Sequence, residues 1–299
     1  MRQEDMELLA YVDGEFLPES DSKVSVFDHG LLYGDGIFEG IRAYSGRVFR
    51  LDDHIRRLYD SAKAIHLEIP HPKEEFRDLI LELCRRNDIE DGYIRPVVTR
   101  GKGDLGLDPR KVKDGATVVI IARPFDVLYG DKYEDGLSLI TSTYRRVPSQ
   151  SVSPNIKSLN YLNQILARVE ANIQEADEAL LLDLQGYVSE ASADNFFVVR
   201  DEVLSTPPTV SILQGITRQT VMEITEELGY RTRERFFTLF DVYAADEAFI
   251  TGTAAEIGPV VRVDNRVIGD GKPGGITKQI VARYRDLVRS TGTPIFAKA

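Results

Sequence analysis

Lys157 lies in Ser153-Pro154-Asn155-Ile156-Lys157-Ser158-Leu159-Asn160-Tyr161, and three motifs follow it in order: Glu190 in Gly186-Tyr187-Val188-Ser189-Glu190-Ala191, the stretch Gly215-Ile216-Thr217-Arg218, and Thr251-Gly252-Thr253-Ala254-Ala255-Glu256. A lysine amine can condense with a carbonyl to form an imine, and the same amine can then carry a proton. A carboxylate can hold a cationic ring nitrogen, and glycine turns rich in backbone N–H groups can hold a phosphate. A single ligand bearing a carbonyl, a basic ring and a phosphate would engage all four motifs. The chain reads as an enzyme.

These groups need a scaffold. In the first part, strand-like apolar runs alternate with amphipathic helices over 47–51, 54–64, 72–86, 94–100 and 116–122. The pattern breaks between Pro124 and Gly136 into turn formers and aromatic residues. The expected organisation is a small α/β domain over 1–124, an interdomain loop over 125–136 and a larger mixed domain over 137–299. In the larger domain, strands are expected over 137–141, 178–183, 195–200, 247–251 and 259–263, with helices over 217–228 and 276–289. Tyr161, Leu162, Ile165, Leu166, Val169 and Ile173 mark one face of a long helix starting just after Lys157, which places the lysine at a loop-to-helix junction.

One internal echo pairs Gly215-Ile216-Thr217-Arg218-Gln219-Thr220-Val221 with Gly275-Ile276-Thr277-Lys278-Gln279-Ile280-Val281. Each can open a helix whose first N–H groups and positive dipole end suit a phosphate, and sequence logic alone does not choose between them. Gly252 suits a tight turn through its tolerance of positive φ.

The formal net charge of −11 argues against a nucleic-acid partner, which is bound through clustered Lys and Arg. The longest apolar run is far short of the roughly 20 residues that span a bilayer. The acidic start, Met1 to Glu7, is unlike a secretory signal, so a cytoplasmic location is expected. Cys84, the single cysteine, shares a helical stripe with Phe76, Leu79, Ile80 and Leu83 and is expected in the core rather than as a nucleophile. His29, His54, His66 and His71 form no metal-ligand pair on a helix, and no metal is expected. Gly101-Lys102-Gly103-Asp104-Leu105-Gly106 fits a dinucleotide fingerprint, but the span to the next strand is too short for a crossover helix.

Upstream of Lys157 stand Tyr33-Gly34-Asp35-Gly36-Ile37-Phe38-Glu39-Gly40-Ile41-Arg42, His54-Ile55-Arg56-Arg57-Leu58 and Tyr93-Ile94-Arg95-Pro96. Together with the four motifs above, these resemble the fold-type IV pyridoxal phosphate (PLP) enzymes, specifically the branched-chain amino acid aminotransferases, over nearly the whole chain. The resemblance implies two mixed α/β (α+β) domains with the cofactor at their interface. It implies Lys157 as the imine-forming catalytic residue and Glu190 at the ring nitrogen. Tyr161 would bond the phenolic oxygen, and Arg57, Gly215, Ile216, Thr217 and Thr253 would hold the phosphate. Tyr93 and Arg95, with the backbone of Thr253 and Ala254, would receive the substrate carboxylate, and Tyr33, Phe38, Gly40 and Phe125 would shape an apolar pocket. It further implies transfer of amino groups from leucine, isoleucine or valine to 2-oxoglutarate, a homodimer or higher oligomer, and a loop over 105–109 lent to a neighbouring subunit. A D-amino acid or (R)-amine transaminase and an aminodeoxychorismate lyase share the lysine and glutamate; Tyr93-Ile94-Arg95-Pro96 favours the branched-chain enzyme.

Overall fold

The protein is described by a computed structural model over residues 7–126 and 128–296. The acidic start over 1–6 and Val127 of the expected interdomain loop lie outside the described residues. Two compact units divide the chain: the first takes the described residues of 7–126, 156–160 and 288–296, the second those of 128–155 and 161–287.

The first unit opens with the hairpin β1 (Leu9–Val12) and β2 (Glu15–Pro18), then α1 (His29–Tyr33), β3 (Gly36–Phe38), β4 (Ile41–Tyr44) and β5 (Arg47–Val48). Helices α2 (Leu51–Ala64) and α3 (Lys73–Arg86) follow, then the long pair β6 (Gly92–Thr99) and β7 (Thr117–Pro124). Its sheet runs β17-β5-β4-β6-β7-β1-β2 with β3 also on β6, where β17 is Thr293–Pro294. Every pairing in it is antiparallel. β6 and β7 are antiparallel neighbours, so the glycine-rich stretch over 101–106 joins strands that no crossover helix connects, and the dinucleotide reading falls. Cys84 is fully buried beside Phe76, Ile80 and Leu83, and burial pushes its thiol up to about 12, which leaves it an inert core residue.

β3 and β4 are one interrupted strand. Phe38 faces Val97 and Ile41 faces Ile94 in the same register along β6. The break falls opposite Pro96, whose carbonyl accepts from the Glu39 N–H at 2.9 Å but which has no N–H to return. Alternation then sets the two faces. Ile37, Ile41, Ile94 and Val98 enter the core under α2, while Phe38, Gly40, Tyr93 and Arg95 share the opposite face.

The second unit holds α4 (Lys132–Asp135), β8 (Leu137–Arg145), α5 (Leu162–Ile173), β9 (Glu178–Leu182), β10 (Val188–Ala191), β11 (Asn195–Arg200) and β12 (Val203–Thr206). It continues with α6 (Ile216–Glu227), β13 (Arg231–Glu234), α7 (Leu239–Tyr243), β14 (Glu247–Gly252), β15 (Glu256–Val263), β16 (Arg266–Val267) and most of α8 (Gly275–Ser290). The sheet order is β10-β9-β8-β15-β14-β11-β12-β13, with β16 on β15. Its two βαβ crossovers, β8-α5-β9 and β12-α6-β13, supply parallel pairs in an otherwise mostly antiparallel sheet.

α5 lays its small residues inward, with Ala167 and Ala171 against Ile140, Ala179 and Leu181. Its stripe of Leu162, Ile165, Val169 and Ile173 is exposed. Close approach of helix to sheet selects alanine at the contact, which leaves the larger apolar side chains on the outer face.

Candidate active site

Lys157 does not lie at a loop-to-helix junction. Residues 157–159 bond along β3 of the first unit's sheet: Ser158 bridges Ile37, the Phe38 N–H donates to the Lys157 carbonyl at 3.0 Å, and the Leu159 N–H donates to the Gly36 carbonyl at 2.9 Å. The Lys157 N–H donates in turn to Ser61 Oγ at 3.2 Å. Bonds to both its carbonyl and its N–H fix where the side chain leaves the chain, and its Nζ stands 4.6 Å from the centre of the Phe38 ring. α5 begins only at Leu162, with Tyr161 at its N-cap.

On the face shared with Phe38, Arg95 Nη2 donates to the Tyr93 hydroxyl at 2.8 Å and its guanidinium lies 4.8 Å from the Phe38 ring centre. Tyr93 leans on Phe125 at 5.5 Å between ring centres. A Cβ at Gly40 would stand 2.0 Å from the Tyr93 hydroxyl, so this position admits no side chain without displacing the tyrosine. Phe38, Gly40, Tyr93, Arg95 and Phe125 are thus brought together, with the Lys157 amine at Phe38. Tyr33 is engaged elsewhere: its hydroxyl donates to the Leu105 carbonyl at 2.6 Å, and its ring meets His29 edge-on.

Behind Phe38, on the core side, sits Glu39, fully buried. Arg57 clamps it with Nε to Oε1 at 2.6 Å and Nη2 to Oε2 at 2.7 Å, and His54 Nδ1 lies 2.8 Å from Oε2. His54 and Arg57 are three residues apart on α2 and present one face to the strand. Burial would raise the Glu39 carboxyl, but the charge and hydrogen bonds of Arg57, with His54, more than reverse this and hold it well below the usual carboxylate range. Burial depresses the His54 ring despite the partnership with Glu39. Arg57 is expected at a phosphate; the structure shows it gripping a carboxylate with one edge of its fork.

In the second unit, Glu190 is 6% exposed at the end of β10. Arg146 Nε donates to its Oε1 at 2.6 Å, while the Leu213 N–H and Asn195 Nδ2 donate to Oε2 at 3.0 and 3.2 Å. A carboxylate so held is fixed in direction. β10 ends and β11 begins across a tight turn in which the Ala191 N–H donates to the Asp194 carbonyl at 2.8 Å, and β14 ends beside it, because Asn195 pairs with Thr251. Gly215 abuts Asn195, where a Cβ would stand 1.9 Å from Oδ1. Gly215, Ile216 and Thr217 therefore gather with Glu190 and the turn carrying Thr253 and Ala254 at one end of the sheet. Gly252 is not required for positive φ, contrary to expectation; a Cβ there would lie 1.8 Å from Asp194 Oδ1, so close approach is what demands glycine.

The echoed segments differ in what caps them. At α8, Glu247 accepts from the Ile276 N–H at 3.0 Å and from the Thr277 N–H and hydroxyl at 2.8 and 2.6 Å. A protein carboxylate already fills the place of an anion there. At α6, no side chain caps the helix among the described residues. Glu39, His54, Arg146, Asn195 and Glu247 are not among the working residues expected from sequence. For Glu39 the signal is a lone carboxylate inside the apolar run Ile37-Phe38-Glu39-Gly40-Ile41, for His54 it is the motif shared with Arg57, and for Asn195 it is the place five residues after Glu190; for Arg146 and Glu247, whose partners are distant in sequence, there is none.

Residues 36–263 match the family model for amino-transferase class IV. A protein of Methanocaldococcus jannaschii, provisionally named a branched-chain-amino-acid aminotransferase, is 52% identical across 96% of this chain and 98% of its own length. The branched-chain-amino-acid aminotransferase of Pseudomonas aeruginosa is 38% identical across 96% of this chain and 95% of its own. The crystal structure of the branched-chain amino acid aminotransferase of Thermobaculum terrenum in its PLP form superposes with a TM-score of 0.87 at 32% identity, covering 98% of this chain and 100% of that one. The chain belongs to the class IV aminotransferases, the fold-type IV PLP enzymes, and within them to the branched-chain amino acid aminotransferases.

Proposed function

We propose that the protein transfers the amino group of L-leucine, L-isoleucine or L-valine to 2-oxoglutarate, giving the branched-chain 2-oxo acid and L-glutamate. The observation that carries this reading is the Lys157 amine on the Phe38 ring, on the face that also presents the Tyr93–Arg95 pair. The residues fit PLP: an amine for its aldehyde, an anchored buried carboxylate for its ring nitrogen, and a helix start without a side-chain cap for its phosphate. When bound, the cofactor supplies the carbonyl carbon and an electron-accepting ring.

Each residue then has a task. Lys157 Nζ would hold the aldehyde carbon and carry the proton removed from the substrate Cα. Glu190 would keep the ring nitrogen protonated, and Arg146, Asn195 and the Leu213 N–H keep Glu190 aimed. By the resemblance to the family, Ile216, Thr217, Thr253 and Arg57 would hold the phosphate, and Tyr161 would bond the phenolic oxygen. By the same resemblance, Arg95 and Tyr93, with the Thr253 and Ala254 N–H groups, would receive the substrate carboxylate, while Phe38 and Phe125 would exclude water around an aliphatic side chain.

We also propose a cytoplasmic homodimer or larger homo-oligomer. The exposed stripe on α5 and the exposed Leu105 and Leu107 of the first unit support self-association. Among the described residues no helix is long and apolar enough to cross a membrane. A donor screen with 2-oxoglutarate tests the activity: L-leucine, L-isoleucine and L-valine should give glutamate and D-alanine little, and D-amino acids outpacing L-leucine would reject the branched-chain reading.

A further inference from the structure

The turn that carries Thr253 and Ala254 joins β14 to β15, whose antiparallel ladder ends with Gly252 opposite Glu256. Thr253, Ala254 and Ala255 make the reversal, and the chain re-enters the ladder at Glu256 with a φ of 53°. Glycine sits easily in that left-handed region; a residue with a side chain stays there only where its surroundings hold it. The turn is held at both ends. At its start, Gly252 abuts Asp194 so closely that a Cβ would stand 1.8 Å from Oδ1. At its end, the Tyr133 hydroxyl donates to the Ala255 carbonyl at 2.8 Å. Ala255 is fully buried, so its carbonyl needs a protein partner rather than water. That carbonyl belongs to the peptide linking Ala255 to Glu256, and rotation of the same peptide changes φ of Glu256. A hydroxyl bonded to it therefore resists the rotation through which Glu256 would relax. Tyr133 is itself delivered from a braced element: α4 lies against β15, the Tyr133 ring meets that of Tyr129 edge-on at 6.1 Å, and the Tyr129 hydroxyl reaches Glu178 of β9 at 3.4 Å.

We propose that Tyr133 is a positioning residue for the substrate carboxylate: its hydroxyl holds the peptide that closes the 253–255 turn and so fixes the direction of the Thr253 and Ala254 N–H groups. This rests on the reading of those two N–H groups as receivers of the carboxylate. An anion held by adjacent backbone donors is sensitive to their direction, because a hydrogen bond weakens steeply as its angle closes. Tyr133→Phe keeps the ring and its contact with Tyr129 and deletes only the bond to Ala255 Oδ-free backbone, that is, to its carbonyl.

The test uses the PLP-loaded full-length enzyme and reads the dissociation constant of 4-methylvalerate, the leucine skeleton without its amine, from the visible spectrum, together with KM and kcat for L-leucine. Tyr133→Phe should weaken 4-methylvalerate about tenfold and raise KM by a similar factor while kcat changes much less, the pattern of a lost ground-state contact. An ester in place of the Thr253–Ala254 amide, made by incorporating lactic acid at position 254, removes one N–H donor directly and should weaken 4-methylvalerate at least as much. Adding Tyr133→Phe to the ester protein should weaken it little further, because the hydroxyl acts through the turn. Unaltered 4-methylvalerate binding in Tyr133→Phe, a loss in kcat alone, or effects that add in the combined protein would overturn the positioning role while the turn kept its place. Unaltered binding in the ester protein would remove the Ala254 N–H from the carboxylate and the inference with it.

Discussion

Glu247 and Thr277 are bonded twice at the start of α8, through the threonine N–H and its hydroxyl, and that pair separates two segments of nearly identical sequence. A carboxylate at a helix N-terminus satisfies the first N–H groups and repels any second anion. Only α6, where no side-chain cap is present among the described residues, is left suited to a phosphate.

Thr217→Ala should therefore weaken PLP binding roughly tenfold to a hundredfold, the worth of a hydroxyl bond to a charged group. Thr277→Ala should leave PLP affinity unchanged and instead lower stability by about 1–3 kcal/mol, since a bond to the Glu247 carboxylate is lost. Equilibrium titration of apoenzyme with PLP, alongside denaturant unfolding, checks both; equal losses of affinity would leave the phosphate site unassigned.

Glu190→Gln should bind PLP and fold, but slow the half-reaction with L-leucine, because the ring nitrogen loses the anion that keeps it protonated. Arg146→Gln should slow the same step and cost more in stability, roughly 3–5 kcal/mol, because Glu190 is then a buried charge without its cationic partner. Stopped-flow half-reactions at wild-type rate in both variants would make the pair purely structural.

Gly40→Ala forces a methyl group onto the Tyr93 hydroxyl, which is also the acceptor for Arg95. The expected result is a KM for L-leucine raised about tenfold with kcat much less affected, the pattern of lost ground-state binding. An unaltered KM would detach the Tyr93–Arg95 pair from the substrate.

Acid should loosen the first unit through His54 and Glu39. Burial depresses the His54 ring below its ordinary 6.5, and Arg57 with His54 holds Glu39 below its ordinary 4.5 although burial opposes this. As pH falls the unfolded chain takes up both protons before the folded one does. Stability from these groups is thus complete above pH 6.5 and declines below it, first through His54 and then, below 4.5, through Glu39. Urea unfolding between pH 8 and pH 4 should show this decline, and His54→Gln should flatten its upper part; parallel curves for the two proteins would contradict it.

The sequence disclosed most helices and long strands because their periodicity is local. β11 falls where expected, over Asn195–Arg200, and α6 and α8 begin within a residue of their expected starts. What it could not disclose are relations between distant residues. The bonding of 157–159 to β3 is invisible from residues that lie just before a helix. The outward turn of the α5 stripe depends on how closely the sheet approaches Ala167 and Ala171, and the reason for Gly252 is Asp194 rather than a turn angle. Lys157 and Glu190 were legible as chemistry; their supports, Ser61 and Arg146, sit 96 and 44 residues away.

The central claim is that Lys157 forms the covalent link to the cofactor, and borohydride reduction of the holoenzyme followed by peptide mass mapping tests it most directly. The reduced cofactor should be found on the peptide carrying Lys157, and Lys157→Ala should carry none and lose the visible absorption. A cofactor adduct on any other lysine, or retained absorption and turnover in Lys157→Ala, would contradict the account.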